Sequence, residues 1–427
     1  MRLKIFLAAI VISFASLLAG LFHMQILKGE YYKNLSEQNR IVIIPLTAPR
    51  GKIYDRNKKL LVDNRVSFDA SLIYKDAKDV EKLASLLSGT LKIDKKDLVS
   101  KILKAKSRPF APITIVKDIG RKNAIILEQY RIDYPGLIVT TKPKRDYIYG
   151  NVASGIVGYL GKISEGELGR FKTYGYRMTD LVGRSGLEKR YNNYLRGTQG
   201  GMQVEIDSFG RQKNILHIKE PQIGKHLYLT IDIDLQEHCD NLMAEKRGCI
   251  IAMNPKSGEV FAFLSKPNFN PSIFIKPGPN EEVRKILGSR SDDYPLLNRG
   301  ISCAYPPGSI FKTVVAAAAL DTGKFSFDET FTCNGYYNLS KKVFRCWKEK
   351  GHGTQHIDEA IKNSCNVFFY QLGLRVGVEN ISLYAKKFGF GKPTYIDLPG
   401  EISGLVPTPQ WKRLTKKEAW YGGDTVN

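Results

Sequence analysis

An apolar run from Ile5 to Leu27 opens the chain. It is broken only by small or weakly polar residues and, near its far end, by His23 and Gln25. At about 1.5 Å of rise per residue, a helix of this length crosses the hydrocarbon core of a bilayer. Arg2 and Lys4 precede the run and favour the cytoplasmic side for residues 1–4. No small-x-small cleavage site follows, so 5–27 reads as an uncleaved transmembrane anchor with the rest of the chain outside the cytoplasm. A cleaved secretion signal is the other reading.

Past the anchor the period shortens. Glu30 to Asn39 reads as a polar, aromatic helix, and Ile41-Val-Ile-Ile-Pro45 as a strand. Ala48 to Asn57 holds Pro, Gly and Asp-Arg-Asn around a short strand, which predicts tight turns. From about 66 to 140 the pattern alternates between strands (Phe68 to Ile73) and lysine-rich helices (Val80 to Leu87, Lys95 to Lys104). This predicts a small α+β insert. Glycine-rich punctuation returns at Gly155 to Gly161, Gly183 to Tyr191 and Arg196 to Gly201. A boundary is expected near Pro221 to Lys225, followed by a strand over His226 to Ile231 and a helix over Asp234 to Glu245. Cys249 to Met253 and Glu259 to Leu264 flank the turn formers Asn254 to Gly258 and predict a hairpin. An alanine-rich helix is expected over Thr313 to Leu320, with Ser309 at its head. Beyond it only helices and loops are expected.

Composition changes this picture in one respect. With 427 residues the chain has room for two or three domains, and its 43% apolar content is ordinary for globular protein. The net charge of +23 is not ordinary. No zinc-finger spacing, aromatic-basic motif or basic recognition helix accompanies it, so nucleic acid is not the expected partner. Anionic lipid or an acidic wall polymer fits a basic domain held at a membrane. The six cysteines all lie in the second half, which excludes a small disulfide scaffold.

Candidate chemistry begins at Tyr305-Pro-Pro-Gly-Ser309-Ile-Phe-Lys312. Ser-x-x-Lys on a helix puts both side chains on one face, one turn apart. A serine hydroxyl needs a neighbour to take its proton, and a lysine does so once burial or positive charge lowers its pKa. The quartet alone is common by chance. Downstream, Ser364-Cys365-Asn366 adds a hydroxyl and an amide two residues apart, suited to relay a proton and to hold the lysine and a substrate backbone.

With these two elements together, the sequence resembles the class B penicillin-binding proteins, most closely their elongation-type branch. Leu46-Thr-Ala-Pro-Arg50-Gly51-Lys-Ile-Tyr-Asp55-Arg56-Asn57 is similar to the first non-catalytic motif of that family. Arg145-Asp-Tyr147 through Gly158-Tyr159-Leu-Gly161 is similar to the second, with Ile148 in place of the usual proline and Gly155 where histidine is frequent. Gly183 through Glu188, with Arg196-Gly197, is similar to the third. The resemblance implies an α+β multidomain fold. Its parts would be a single transmembrane helix, an elongated pedestal over 28–225 carrying the 66–140 insert, and a serine β-lactamase-like transpeptidase domain over 226–427. It implies D,D-transpeptidation of peptidoglycan stem peptides through an acyl-enzyme on Ser309. Lys312 would be the base, and Ser364 and Asn366 would complete the site. Partners implied are lipid-linked precursor glycan, β-lactams, the inner membrane and a membrane glycan polymerase of the elongation machinery. No nucleic acid is implied.

Cys333, Cys346, His352 and Cys365 follow the pattern Cys-x12-Cys-x5-His-x12-Cys. Three thiolates and an imidazole form the closed tetrahedral set of structural zinc. The family resemblance also implies zinc here, often with aspartate at the positions of Cys333 and Cys346. Two other readings stand: a Cys333–Cys346 disulfide, with Cys365 as buried apolar filler. His356 is a substitute ligand or a surface residue. Because Cys365 lies between Ser364 and Asn366, its side chain is expected to leave the cleft where theirs enter it.

The third catalytic element of the family, Lys-Thr/Ser-Gly, is absent. Gly422 to Asn427 resembles the segment shortly before it. The expectation is therefore a chain that stops short of the strand closing the cleft, leaves the 249–264 hairpin with exposed edges and has crippled activity. A scaffold or activator role toward the glycan polymerase is the alternative function.

Overall fold

The computed structural model describes residues 2–31, 41–77, 79–107, 109–110, 112–207, 212–278, 280–288 and 293–426. Most of the expected helix over Glu30 to Asn39 lies outside them. The chain forms two compact units. The first holds Met1–Leu242, Ala252–Ala262 and Asn268–Asp292; the second holds Met243–Ile251, Phe263–Pro267 and Asp293–Asn427.

In the first unit, α1 (Arg2–Phe22) continues into a wider turn over His23–Leu27. Ile10–Leu27 is long and apolar enough to span a membrane. Strand β1 (Ile41–Leu46) pairs antiparallel with β8 (Gly200–Ile206), which pairs with β9 (Gln212–Lys219). A second sheet is built on β3 (Leu60–Leu72), flanked by β2 (Ile53–Tyr54), β4 (Ile113–Val116) and β5 (Leu137–Tyr147). The insert is there, with α2 (Val80–Leu91), α3 (Lys95–Lys104) and α4 (Gly120–Gln129) packing Leu83, Leu87, Leu98, Ile102 and Leu127 into one core with Ala70 and Leu72. Asp79 and Asp94 cap α2 and α3 by accepting from their first free N–H groups. The insert has no separate sheet, because β3 and β5 stay paired from Val62–Tyr147 to Leu72–Leu137.

The segments 46–57, 145–161 and 183–197 converge, and β6 (Leu160–Lys162) pairs antiparallel with β7 (Leu181–Gly183). Arg145 Nε donates to Glu188 Oε1 at 2.7 Å, Arg50 Nη2 lies 2.8 Å from Glu188 Oε2, and Arg145 Nη1 donates to the Gly51 carbonyl at 2.7 Å. Glu188 is completely buried. Burial pushes its carboxyl up, but Arg145 and Arg50 outweigh this and hold it below the usual carboxylate range. Backbones pass so closely that a Cβ on Gly51 would sit 1.8 Å from the Lys225 carbonyl oxygen. Gly158, at φ +77°, would meet the Ser185 oxygen at 2.0 Å.

Compactness does not change at 221–225. Strand β10 (Leu227–Tyr228) adds parallel to β2, and Ile233 of α5 (Ile233–Leu242) enters the core that holds Ile53, Leu61 and Tyr147. The expected 226–231 strand shrinks to this two-residue pairing because it borders only the short β2. The hairpin forms as β11 (Gly248–Met253) and β12 (Val260–Lys266).

In the second unit, α6 (Lys312–Asp321) buries Val314, Val315, Ala316, Ala318 and Ala319. Its small alanines let neighbouring helices approach. These are α8 (Asn366–Val376) and α9 (Val378–Lys387); α7 (Ile357–Lys362) leads into α8. Phe325, Phe331 and Phe368 meet with ring centroids 5.1–5.6 Å apart. The expectation of helices and loops alone is corrected here. Two small antiparallel pairs form, β13 (Phe331–Cys333) with β16 (Gly353–Gln355) and β14 (Tyr336–Leu339) with β15 (Lys342–Arg345). Strands of three or four residues with polar positions carry too little alternation to be read from sequence.

Candidate active site

Ser309 lies in a 3-10 turn, Gly308–Phe311, and α6 starts only at Lys312. The expected helix head is thus a tighter turn, entered through Gly308 at φ +59°. Ser309 is exposed, and among the described residues its hydroxyl has no hydrogen-bond partner. Lys312 is half-buried and points elsewhere. Its Nζ donates to the Ser364 carbonyl at 2.8 Å, to Ser364 Oγ at 3.1 Å and to Asn366 Oδ1 at 2.6 Å. An ammonium has three protons, and all three are used. Burial pulls the Lys312 pKa below the usual lysine value, against the opposing effect of the Cys365 and Cys346 thiols. The structure therefore joins Lys312, Ser364 and Asn366, and leaves Ser309 one turn away with a free hydroxyl.

The local sequence explains how Ser364 gets there. Helix α7 ends in a Schellman turn, in which Ser364 N–H donates to the Ile361 carbonyl at 3.0 Å and Cys365 N–H to the Ala360 carbonyl at 2.9 Å. That turn needs a left-handed residue, usually glycine. Here Ser364 takes it at φ +47°, at a cost of about 1–2 kcal/mol. Cys365 follows as the N-cap of α8, its Sγ accepting from Phe368 N–H at 3.4 Å. One helix end and one helix start, with only Asn363, Ser364 and Cys365 between them, aim Ser364 and Asn366 at Lys312 and Cys365 the other way.

Cys365 is fully buried beside Cys333, Cys346 and His352, and the four ligand atoms lie within 4.8 Å of one another. His352 Nδ1 is 3.7 Å from Cys333 Sγ and 3.6 Å from Cys346 Sγ. Tetrahedral zinc with ordinary bond lengths sets sulfur–nitrogen separations of about 3.5 Å. All six cysteines are free, so the Cys333–Cys346 disulfide is not formed. Burial pushes the Cys365 thiol up to about 12, with Cys333 and Cys346 adding to the rise. Burial also raises Cys346, but N–H groups of Lys348, Val367 and Asn366 reverse this and bring it below its ordinary value. Three thiols this close ionise together only against a cation, so the donor set fits a divalent metal. His356 is exposed and caps α7. Sequence reasoning missed Trp347, whose indole N–H donates to the Asn363 carbonyl at 3.1 Å, directly before Ser364. Its place after Cys346 was the available signal.

Comparison with known proteins also divides the chain into two domains. The penicillin-binding protein dimerisation domain matches residues 45–229, and the penicillin-binding protein transpeptidase domain matches 248–427. The peptidoglycan D,D-transpeptidase MrdA of Acinetobacter baumannii is 33% identical over 100% of this chain and 64% of that protein. MrdA of Escherichia coli K12 is 32% identical over 96% of this chain and 66% of its own length, and that of Salmonella typhimurium 31% over 100% and 69%. The chain thus spans about two thirds of the length of these relatives. Among solved structures, a complex of penicillin-binding protein PBP2 with MreC from Helicobacter pylori superposes with a TM-score of 0.77 at 28% identity, covering 90% of this chain and 72% of that one. A peptidoglycan synthase complex coordinating polymerization and crosslinking gives 0.70 at 28%, covering 99% and 73%. With both domain models matched in order along one chain, and a relative matched over most of its length, this chain belongs to the class B penicillin-binding protein family.

Proposed function

We propose that the chain is a peptidoglycan D,D-transpeptidase of cell elongation, anchored in the inner membrane by α1 with both units outside the cytoplasm. The observation that carries this reading is the Lys312 amine, desolvated yet held by Ser364 and Asn366 one turn from a free serine hydroxyl. Once Lys312 loses a proton to solvent, its lone pair accepts the Ser309 proton as Oγ attacks the penultimate D-Ala carbonyl of a stem peptide. The C–N bond then breaks. The terminal D-Ala leaves as an amine, protonated from Lys312 through the Ser364 hydroxyl, and the acyl group stays on Ser309. The amine of a second stem peptide attacks that ester, passes its proton back along the same path and regenerates the serine. A β-lactam opens by the first half of this sequence and stops there. The proposed partners are lipid-linked precursor glycan and a membrane glycan polymerase, in line with the similar peptidoglycan synthase complex that coordinates polymerization and crosslinking.

Cys333, Cys346, His352 and Cys365 are proposed to hold a structural zinc ion. Its role would be to fix the back of the Ser364–Asn366 turn, without entering the reaction. Metal analysis of the purified chain should find about one zinc per chain, and Cys365→Ala should lose both the metal and acylation rate. Undiminished acylation in a metal-free Cys365→Ala chain contradicts this role. The function itself is tested by incubating the 427-residue chain with penicillin and mapping the adduct by mass spectrometry. The adduct is expected on Ser309 and absent from Ser309→Ala; a different labelled residue would overturn the assignment.

A further inference from the structure

Trp347 is 63% exposed, an unusual state for tryptophan, yet it is held in place. Its indole N–H is bonded to the Asn363 carbonyl at 3.1 Å, and its ring meets His352 edge-on at 5.1 Å. Lys312 is bonded to the next carbonyl, that of Ser364. The indole and the amine thus grip consecutive peptide units, about 3.8 Å apart along the chain. An aromatic ring fixed at two points, with most of its surface in water, is a preorganised stacking platform: binding against it costs no side-chain ordering. Beside it, Lys348 and Lys350 are exposed and form no ion pair among the described residues, with only Glu349 between them to offset their charge.

We infer that Trp347, Lys348 and Lys350 form a binding subsite for an acidic peptide strand, the ring covering the peptide's apolar and backbone surface and the two lysines pairing with its carboxylates. The inference rests on the transpeptidase reading, because it assigns the segment of a stem peptide upstream of the scissile bond to this surface. It goes further by making affinity depend on the free carboxylates of that segment.

The test uses the 427-residue chain in detergent and two labelled synthetic pentapeptides ending in D-Ala-D-Ala. One carries two free carboxylates upstream; the other has both as amides. Fluorescence anisotropy reads Kd for each. Lys348→Glu with Lys350→Glu is expected to weaken the acidic peptide by about tenfold and the diamide by less than about twofold. Trp347→Ala is expected to weaken both peptides by about fivefold or more, and Trp347→Phe by less. Circular dichroism and zinc content identify any variant whose folding or metal site has failed, and the lysine variant then decides alone. Equal shifts for the two peptides, no shift, or no measurable binding of either peptide to the unaltered chain would overturn the subsite. Penicillin acylation of the unaltered chain is measured in parallel. Its absence overturns the transpeptidase reading, whereas acylation with charge-blind peptide binding overturns the subsite alone.

Discussion

A buried carboxylate in one unit, Glu188, and a half-buried amine in the other, Lys312, show opposite uses of burial. At Glu188 two guanidinium groups surround one carboxylate, and the acid is held below its usual pKa because its charged form is stabilised. At Lys312 the base is also held below its usual pKa, but because its charged form is destabilised. The same sign of shift therefore means structure in one place and poised chemistry in the other. Both units place glycine where backbones crowd: a Cβ would sit 1.8 Å from a carbonyl oxygen at Gly51 and 2.0 Å at Gly158 in the first, and 1.9 Å at Gly335 and 2.0 Å at Gly351 in the second. The left-handed turn between α7 and α8 instead carries Ser364 and bears the strain, which on the proposed mechanism sets the relay hydroxyl beside Lys312.

The comparison is broken most severely by removing the two centres in turn. Lys312→Ala should lower the second-order rate of penicillin acylation by about 10²–10⁴, the usual share of a general base, with the thermal unfolding midpoint little changed. Glu188→Ala should do the reverse. It leaves two buried guanidinium groups unpaired and should destabilise the first unit by about 3–5 kcal/mol in denaturant unfolding. An unfolding curve that matches the unaltered chain would remove the triad from the account. Acid should imitate this change. The folded-state pKa of Glu188 is depressed, so its contribution is fully present above the ordinary carboxylate pKa and is lost as pH falls through the lowered one. Smaller effects separate strain from chemistry at position 364. Ser364→Gly should stabilise the second unit by about 1 kcal/mol while slowing acylation, whereas Ser364→Ala should slow acylation with no gain in stability. A stabilised Ser364→Gly chain with full acylation rate would show that the hydroxyl is idle.

Much of this was legible in the sequence, for identifiable reasons. The apolar N-terminal helix, the insert helices and the β11–β12 hairpin repeat their apolar positions over enough residues to be read. Arg50, Arg145 and Glu188 fell within recognisable motifs, but their meeting did not show, since Arg145 and Glu188 are 43 residues apart and pairing depends on the fold. The family models divide the chain near the expected boundary, with the dimerisation domain ending at residue 229 and the transpeptidase domain starting at 248, while the compact unit runs on through α5 because β10 and α5 complete a core begun at Ile53. In the candidate site, Ser-x-x-Lys and Ser-x-Asn singled out Lys312, Ser364 and Asn366, which the fold brings together, while the 3-10 turn at Ser309 and the left-handed Ser364 depend on hydrogen bonds that no residue pattern announces.

The central claim is that a desolvated Lys312 amine takes the proton of Ser309. Acylation of the unaltered chain by penicillin, followed as a second-order rate against pH, tests it most directly. A base works deprotonated, so the rate should be low in acid, rise through one ionisation below the ordinary lysine value of 10.5 and then level off. That ionisation should vanish in Lys312→Ala. A rate that climbs only at the ordinary lysine pKa, or an ionisation below it that persists without Lys312, would contradict the account.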